Sequence, residues 1–217
     1  MKMSLHRALA QRKITKARLE KEIVDAKFIA ITIGTSGKVE GTSVEDVKKT
    51  IEGDYQKVLQ LQKNLWNLSV AINEANNGIT AETTNIHKVD FDGRKATLSE
   101  ILVTQESIRY MKMVIEAMMN QLSKAKNRIA RSQLDVDERC DRFLSSMAGG
   151  DKAKLSASDI DSMSKNFHEN NDSKLVDPLN LEKVIEKLRE RAEFLDVETD
   201  SKISEINAMT EIEVTDN

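Results

Sequence analysis

Apolar residues recur at helical spacing along most of the chain. Four long stretches show this spacing, at residues 4–27, 43–76, 97–131 and from 178 to about 206. Three of them begin at residues that favour helix N-caps, namely Ser4, Ser43 and Thr97. The pattern therefore predicts an all-α fold of elongated antiparallel helices, arranged as a bundle or coiled coil.

Two short stretches break the helical pattern with β-branched residues. Residues 28–33, Phe-Ile-Ala-Ile-Thr-Ile, are followed by a glycine-containing turn, and residues 84–91 alternate imperfectly between apolar and polar positions. We expect these two stretches to pair as one minor β-ribbon at an end of the bundle.

A polar region separates the third long helix from the last. Residues 132–177 include Gly149-Gly150 and few apolar positions, apart from a short helix expected at 156–168. The last helix is expected to start at Asp177-Pro178, with the proline in its first turn. The sequence thus predicts one helical domain over 1–217, with a flexible polar insertion at about 132–176.

The stretch from Leu98 to Arg131 carries apolar residues on two faces, which is more than one small bundle covers. The helix is therefore central or shared with another subunit. We expect a homo-oligomer, a dimer or tetramer, with Met111, Ile115 and Met118 between subunits or at the bundle centre.

Composition narrows the class of protein. The 217 residues include one proline, eight glycines and 4% aromatics, which argues against a β-sandwich. No apolar run approaches the roughly 20 residues that span a bilayer, so no membrane partner is expected. The single cysteine, Cys140, excludes an internal disulfide and fits a cytoplasmic protein.

The residues that usually carry catalysis or bind metals are scattered. His6, His87 and His168 lie in separate elements without metal-ligand spacing, so neither a metal site nor a cofactor is predicted. The segment 34–39 lacks the spacing of a P-loop, and no nucleophile or kinase motif occurs. The sequence favours a protein that is not an enzyme.

The net charge of −3 hides an uneven distribution. Residues 1–27 and 94–131 each hold eight basic and three acidic residues, whereas 177–217 hold five basic and twelve acidic. Either opposite charges flank one another in the bundle, or part of the cationic surface faces an anionic ligand. Duplex nucleic acid is not an expected partner, because a long basic stripe is missing and the pI is about 5.8.

Two cations interrupt the apolar seam of the first helix. The seam that begins at Leu5 and Leu9 runs over Arg12 and Lys16 before it reaches Leu19. Buried charges need partners. Either the two side chains snorkel or pair with carboxylates of other helices, or they form a cationic pocket in an oligomer interface.

A second group of polar residues precedes the third long helix. Asp92-Gly93-Arg94-Lys95-Ala96-Thr97 places two cations and a hydroxyl at a helix N-terminus, where free N–H groups favour anions. The alternative is a capped helix preceded by solvated charges, because Thr97 and Glu100 have the spacing of a capping box. Further along the helix, Arg109 suits a phosphate and Tyr110 a base. The candidate ligand-binding residues are thus Arg12, Lys16, Arg94, Lys95, Thr97, Arg109 and Tyr110.

At three places the chain resembles the septicolysin-like family of small helical proteins from bacteria and phages. The similar segments are Leu5–Ala10, then Ala71–Asn76 followed by Asp92-Gly93-Arg94, and finally Asp200–Asn207. The resemblance implies a helical protein, and the lysine- and asparagine-rich style is similar to that of phage proteins.

Together these features suggest two functions. The first is a non-catalytic, phage-type protein that sequesters a small anionic nucleotide in pockets of a helical oligomer. Its ligand would be a cyclic dinucleotide signal of CBASS-type host immunity, and its location the host cytoplasm. The alternative is a virion structural or assembly protein that acts through helix–helix contacts only.

Overall fold

The computed structural model describes residues 3–35, 37–76, 88–149 and 156–209, and this part of the chain is mostly helical, as predicted. Its five helices are α1 (Leu5–Asp25), α2 (Val44–Asn76), α3 (Leu98–Met147), α4 (Ala157–Asn171) and α5 (Leu181–Met209). The predicted caps are confirmed. The N–H of Asp46 donates to Ser43 Oγ at 3.1 Å. Thr97 and Glu100 form a reciprocal capping box, with N–H to side-chain oxygen distances of 2.8 and 3.2 Å.

Six short strands form three two-stranded antiparallel sheets among the described residues. The strands are β1 (Ala30–Ile33), β2 (Lys38–Val39), β3 (Thr42–Ser43), β4 (Lys88–Phe91), β5 (Arg94–Thr97) and β6 (Ser173–Val176). The pairs are β1 with β6, β2 with β3, and β4 with β5. The β4–β5 turn has positive φ at Asp92 and Gly93, which is the backbone of a tight two-residue hairpin.

The chain divides into two compact units. The first unit holds Met1–Asp25, Gln56–Ala117 and Glu182–Asn217. Its core joins the β4–β5 hairpin to α3 and α5 through the buried residues Phe91, Ala96, Ile101, Ile108, Ala192 and Leu195. The prediction that residues 1–217 unfold as a single domain stays a prediction.

The second unit holds Ala26–Tyr55 and Met118–Leu181. Its core includes Phe28, Ile51, Val136, Cys140, Leu144 and Val176. Gly34 ends β1 in the left-handed region, at φ +59°, and its N–H donates to the Asp172 carbonyl at 2.8 Å. A Cβ at this position would lie 2.0 Å from the Asn170 carbonyl oxygen, so β1 and the end of α4 approach more closely than a side chain allows.

The predicted pairing of the two β-branched stretches is wrong. β1 pairs with β6, in the register Ala30 to Val176 and Ile33 to Ser173. β4 pairs instead with β5 across the Asp92-Gly93 turn. A two-residue turn closes a hairpin at little entropic cost, so the local pairing is available to β4 without a distant partner. Residues 84–87 of the predicted strand lie outside the described residues.

The predicted helix boundaries around the polar region are also wrong. α3 does not end near Arg131 but continues to Met147, because Val136, Cys140 and Leu144 keep a buried stripe at i, i+4 and i+8. α4 extends the short helix expected at 156–168, and β6 lies inside the segment predicted as insertion. The last helix begins at Leu181, after Pro178, with the Asp177 carboxylate accepting the Leu181 N–H at 2.9 Å. Residues 150–155 lie outside the described part.

Most apolar side chains of α3 between Leu98 and Arg131 are buried or half-buried by the chain itself, whereas Leu102 and Met119 are 41% and 44% exposed. Met118 and Ile115 are buried without a second subunit, and Met111 packs against the core of the first unit. Ile115 and Met118 are thus buried within one chain, without the subunit interface that was one of the two places predicted for them. The homo-oligomer stays a prediction.

Candidate functional site

Arg12 and Lys16 of α1 both pair with one carboxylate of α3. Arg12 Nη2 lies 2.8 Å from Glu106 Oε2, and Lys16 Nζ lies 3.3 Å from Glu106 Oε1. The hydrogen bond to Glu106 raises the pKa of Lys16. Burial alone would raise the pKa of Glu106, but the bonds and charges of Arg12 and Lys16 outweigh it and hold that pKa below its usual value near 4.5. Arg12 and Lys16 are therefore paired with a carboxylate of another helix, which is one of the two alternatives that the sequence offered.

Tyr110 lies beside this cluster and is not available to stack on a ligand. Its side chain is almost fully buried, and its hydroxyl donates to Glu20 Oε1 at 3.4 Å. The pKa of Tyr110 is raised, chiefly by burial. Tyr110 and Glu106 line a cavity of about 10 Å³, which is room for one water molecule rather than a nucleotide.

Glu106→Gln is expected to destabilise the protein by about 1 kcal/mol at pH 7, because Arg12 and Lys16 are partly exposed and the ion pairs are screened. The folded-state pKa of Glu106 lies below its unfolded value, so its contribution is present at neutral pH and is lost as pH falls through the folded pKa. In denaturant unfolding from pH 7 to 3, the free energy of unfolding of the wild type should converge on that of the variant. The control Glu45→Gln removes an exposed pair with Lys48 and should change little. A wild-type to Glu106→Gln difference that is constant over this range would contradict the assignment.

The predicted anion site before α3 is closed by the chain's own carboxylate. Glu100 accepts the Thr97 N–H, and its Oε1 lies 2.7 Å from Arg94 Nη1. Thr97 is buried, and its hydroxyl oxygen accepts the Glu100 N–H. Arg94 also lies over the Trp66 ring at 5.8 Å. The N–H groups of Thr97 and Glu100 at this helix start are thus already partnered.

The remaining predicted residues lie apart from this helix start. Lys95 pairs across the hairpin with Asp90 at 2.9 Å. Arg109 is exposed on α3 with no partner among the described residues. The structure therefore brings Arg12, Lys16 and Tyr110 together around Glu106 but leaves little open cationic surface there. Ligand binding at these seven residues stays a prediction.

A different cationic site lies in the second unit. A cleft of about 560 Å³ is lined by Lys27, Lys38, Lys124 and Arg128, with Glu40 as its one lining carboxylate. We call it the cationic cleft. Its floor is apolar and is formed by Ile29, Ala30, Ile31, Ile33, Val39, Val47 and Ala125, while Thr42 and Gln121 add polar groups. Small-molecule sites commonly have volumes of about 300–1,000 Å³, apolar walls and a few polar groups.

The backbone around Lys27 is held in place by three hydrogen bonds from two helices. Gln121 of α3 donates to the Ala26 carbonyl at 2.8 Å and accepts the Phe28 N–H at 2.9 Å. The Lys27 N–H donates to Asp54 of α2 at 2.9 Å. Phe28 itself is fully buried. These bonds bring the link between α1 and β1 against α3, so the cleft does not have to be assembled by its ligand.

The cations of the cleft come from elements distant in sequence. Lys124 and Arg128 share a face of α3 at i, i+4, and both are exposed without an ion-pair partner among the described residues. Lys38 begins β2, whose hairpin turns at Glu40-Gly41 with positive φ at both residues. Four cations against one carboxylate create a positive field that suits a phosphate-bearing ligand.

None of the cleft residues is among the candidates predicted from the sequence, although three of its cations lie in the two segments with excess positive charge. Lys27 belongs to the cationic segment 1–27, and Lys124 and Arg128 belong to the cationic segment 94–131. The fold brings the ends of both segments together. The hydrogen bonds of the Gln121 amide hold the two segments together, and nothing in a single sequence marks a glutamine for this role.

The described residues contain no group of three or more histidine, cysteine or acidic side chains placed to hold a metal ion. None of the helices within them combines the length and hydropathy that a bilayer crossing requires.

No protein-family model, curated protein or solved structure matches this chain. The resemblance to the septicolysin-like family therefore stays a prediction, and the functional argument rests on the geometry of the chain itself.

Proposed function

We propose that this protein binds a small phosphate-bearing nucleotide in the cationic cleft and sequesters it without chemical change. The observation that carries the proposal is the excess of cations around a cleft of nucleotide size. The phosphates would lie against Lys124 and Arg128, and the base and sugar would cover the apolar floor. A cyclic dinucleotide signal of host immunity is the proposed ligand class, and the cytoplasm of the host cell the proposed location.

The arrangement supports binding rather than catalysis. The cleft's lining residues include no histidine or cysteine, and its one carboxylate, Glu40, lies in an exposed hairpin turn. Lysine and arginine side chains can hold phosphates by charge-assisted hydrogen bonds, whereas the one carboxylate that could act as a general base has no partner among the described residues to hold it in a productive position. A sequestering protein needs only the first of these.

Lys124→Ala/Arg128→Ala is expected to lower the affinity for cyclic dinucleotides by about 100-fold or more. Each lost charge-assisted bond is worth roughly 1.5–3 kcal/mol, and about 1.4 kcal/mol is a tenfold change. Calorimetric titration of the variant and the wild type with cyclic dinucleotides, linear dinucleotides and pyrophosphate measures this change in affinity. Affinity should also fall with added salt. The ligand should be recovered intact after the complex is heated, since hydrolysis products would mean an enzyme.

The matched control is Arg94→Ala/Arg109→Ala, which removes the same charge from residues of the sequence-predicted site in the first unit. It should leave affinity unchanged. A loss of affinity in this control, with none in the Lys124 and Arg128 variant, would move the site to the residues chosen from sequence. No stabilisation of the wild type by any nucleotide in a thermal-shift panel would end the proposal.

The second candidate function is a structural or assembly protein that acts through helix contacts. One observation favours it: α1 and α5 expose large apolar side chains, including Leu9 and Phe194. Such a protein would bind no nucleotide and would associate through these faces.

A further inference from the structure

The first unit carries a groove that is free of charge. It lies between α1 and α2 and has a volume of about 960 Å³, and its lining, which is uncharged throughout, includes Leu5, Gln11, Asn67, Leu68, Ala71 and Ile72. We call it the uncharged groove. In a chain with 32% charged residues, a lining without one charged side chain is the composition of an interface core rather than of open surface.

The same unit carries an apolar ridge on α5. Phe194 and Val197 lie on one face of that helix at i, i+3, and their side chains are 51% and 73% exposed. The opposite face of α5 is already packed, since Ala192 and Leu195 belong to the core of the first unit. The ridge is therefore fixed on the surface of its own chain.

Acidic residues follow the ridge at a heptad interval. Glu186, Glu193 and Asp200 recur every seven residues along α5, and all three are exposed with no ion-pair partner among the described residues. Charges at such flanking positions select partner helices in coiled coils.

Cations follow the rim of the uncharged groove. Arg7 and Arg18 share the face of Gln11 on α1, and Lys63 shares the face of Asn67 on α2. These three are exposed and make no ion pair within the described ranges. One carboxylate, Glu74, accompanies them. The rim thus carries cations, and one side of the ridge carries carboxylates, that are unpaired within the described part of the chain.

We propose that the uncharged groove binds the α5 ridge of a second copy of this chain. Phe194 and Val197 would enter the groove, while the acidic flank of α5 would meet Arg7, Arg18 and Lys63 of the other copy. A two-fold axis makes both ridge-to-groove contacts at once, so the assembly closes as a dimer. This inference is independent of the cationic cleft, which lies in the second unit.

The test measures the mass of the full chain by sedimentation and light scattering from 1 to 200 µM. The wild type should be a dimer. Phe194→Asp/Val197→Asp, and separately Ala71→Glu in the groove, should each give a folded monomer with an unchanged helical circular dichroism spectrum. Leu134→Asp is the matched control: Leu134 is equally exposed, but on α3 in the second unit, and its variant should stay dimeric.

A charge exchange separates this pairing from any other. Arg7→Glu/Arg18→Glu and Glu193→Lys/Asp200→Lys should each weaken the dimer at least tenfold, and the combined variant should restore it. A wild-type monomer at 200 µM would overturn the proposal. So would a dimer that withstands the ridge and groove substitutions, since it would use another surface.

Discussion

Gly34→Ala is expected to destabilise the second unit by about 2–5 kcal/mol. Two physical terms add. An alanine pays roughly 1–2 kcal/mol for the left-handed backbone that Gly34 adopts. Its Cβ also meets the Asn170 carbonyl oxygen at 2.0 Å, a backbone atom that cannot rotate away. Moving β1 or the end of α4 to relieve this overlap costs about 1–3 kcal/mol more.

Gly37→Ala and Gly41→Ala are the matched controls for this prediction. Both glycines have positive φ, at +62° and +88°, but a Cβ on either would have nothing within 4 Å. Each control should be destabilised only by the cost of the left-handed backbone, roughly 1–2 kcal/mol. Denaturant unfolding followed by hydrogen exchange of residues 26–55 measures the three variants. Equal losses in all three would mean that the close approach of Gly34 to α4 does not contribute.

Removal of residues 157–176, with a glycine–serine bridge in their place, is expected to abolish cooperative unfolding of the second unit. The deletion takes away α4 and β6 together. β1 then loses its ladder partner over Ala30–Ile33, and the buried side chain of Val176 is lost with it. An isolated strand is not stable in water, so the expected loss exceeds about 5 kcal/mol, the lower range for a whole domain.

This outcome is opposite to that expected of a dispensable insertion, so the experiment discriminates between them. Leu175→Ala is the control, because Leu175 is exposed and its substitution keeps the backbone ladder. If the deletion variant shows a calorimetric transition with the native enthalpy, the segment is a dispensable insertion.

The helices were predictable because their signals are local. The caps at Ser43 and Thr97 and the periodic apolar residues of α2 and α5 lie within a few turns of one another. The extension of α3 to Met147 was missed because its stripe there is one residue wide, with Val136, Cys140 and Leu144 among exposed charges. A narrow buried stripe of this kind is hidden in composition averaged over a polar segment.

The strand pairing and the cleft could not be predicted for a different reason. β6 reads as Ser-Lys-Leu-Val, a sequence without alternation, and only its pairing with β1 makes it a strand. Likewise Lys27 and Arg128 are about a hundred positions apart, and their juxtaposition depends on how Gln121 binds the backbone at Ala26 and Phe28. Contacts this far apart in sequence depend on tertiary packing, to which a single sequence gives no direct signal.

The candidate cations at Arg12, Lys16 and Arg94 show how a charge pattern misleads when its partners are unknown. The sequence leaves open whether these cations are paired or free to bind a ligand, and each is held by a carboxylate, Glu106 or Glu100. The carboxylates were visible in the sequence, but their distance from the cations was not. Charge counts locate excess charge, whereas only geometry distinguishes a paired cation from one that can bind a ligand.

The division of the chain into interleaved units sets an order for folding during synthesis on the ribosome. The second unit has all its residues once Leu181 has been made, whereas the first needs α5, which follows. At about 5–20 residues per second, the β4–β5 hairpin and the start of α3 wait roughly 3–13 s while residues 118–181 are made, before α5 follows. During that time Phe91 and Ile101 lack Ala192 and Leu195, which complete their core. A chaperone that captures nascent chains would therefore meet this hairpin in a state that the finished protein never shows.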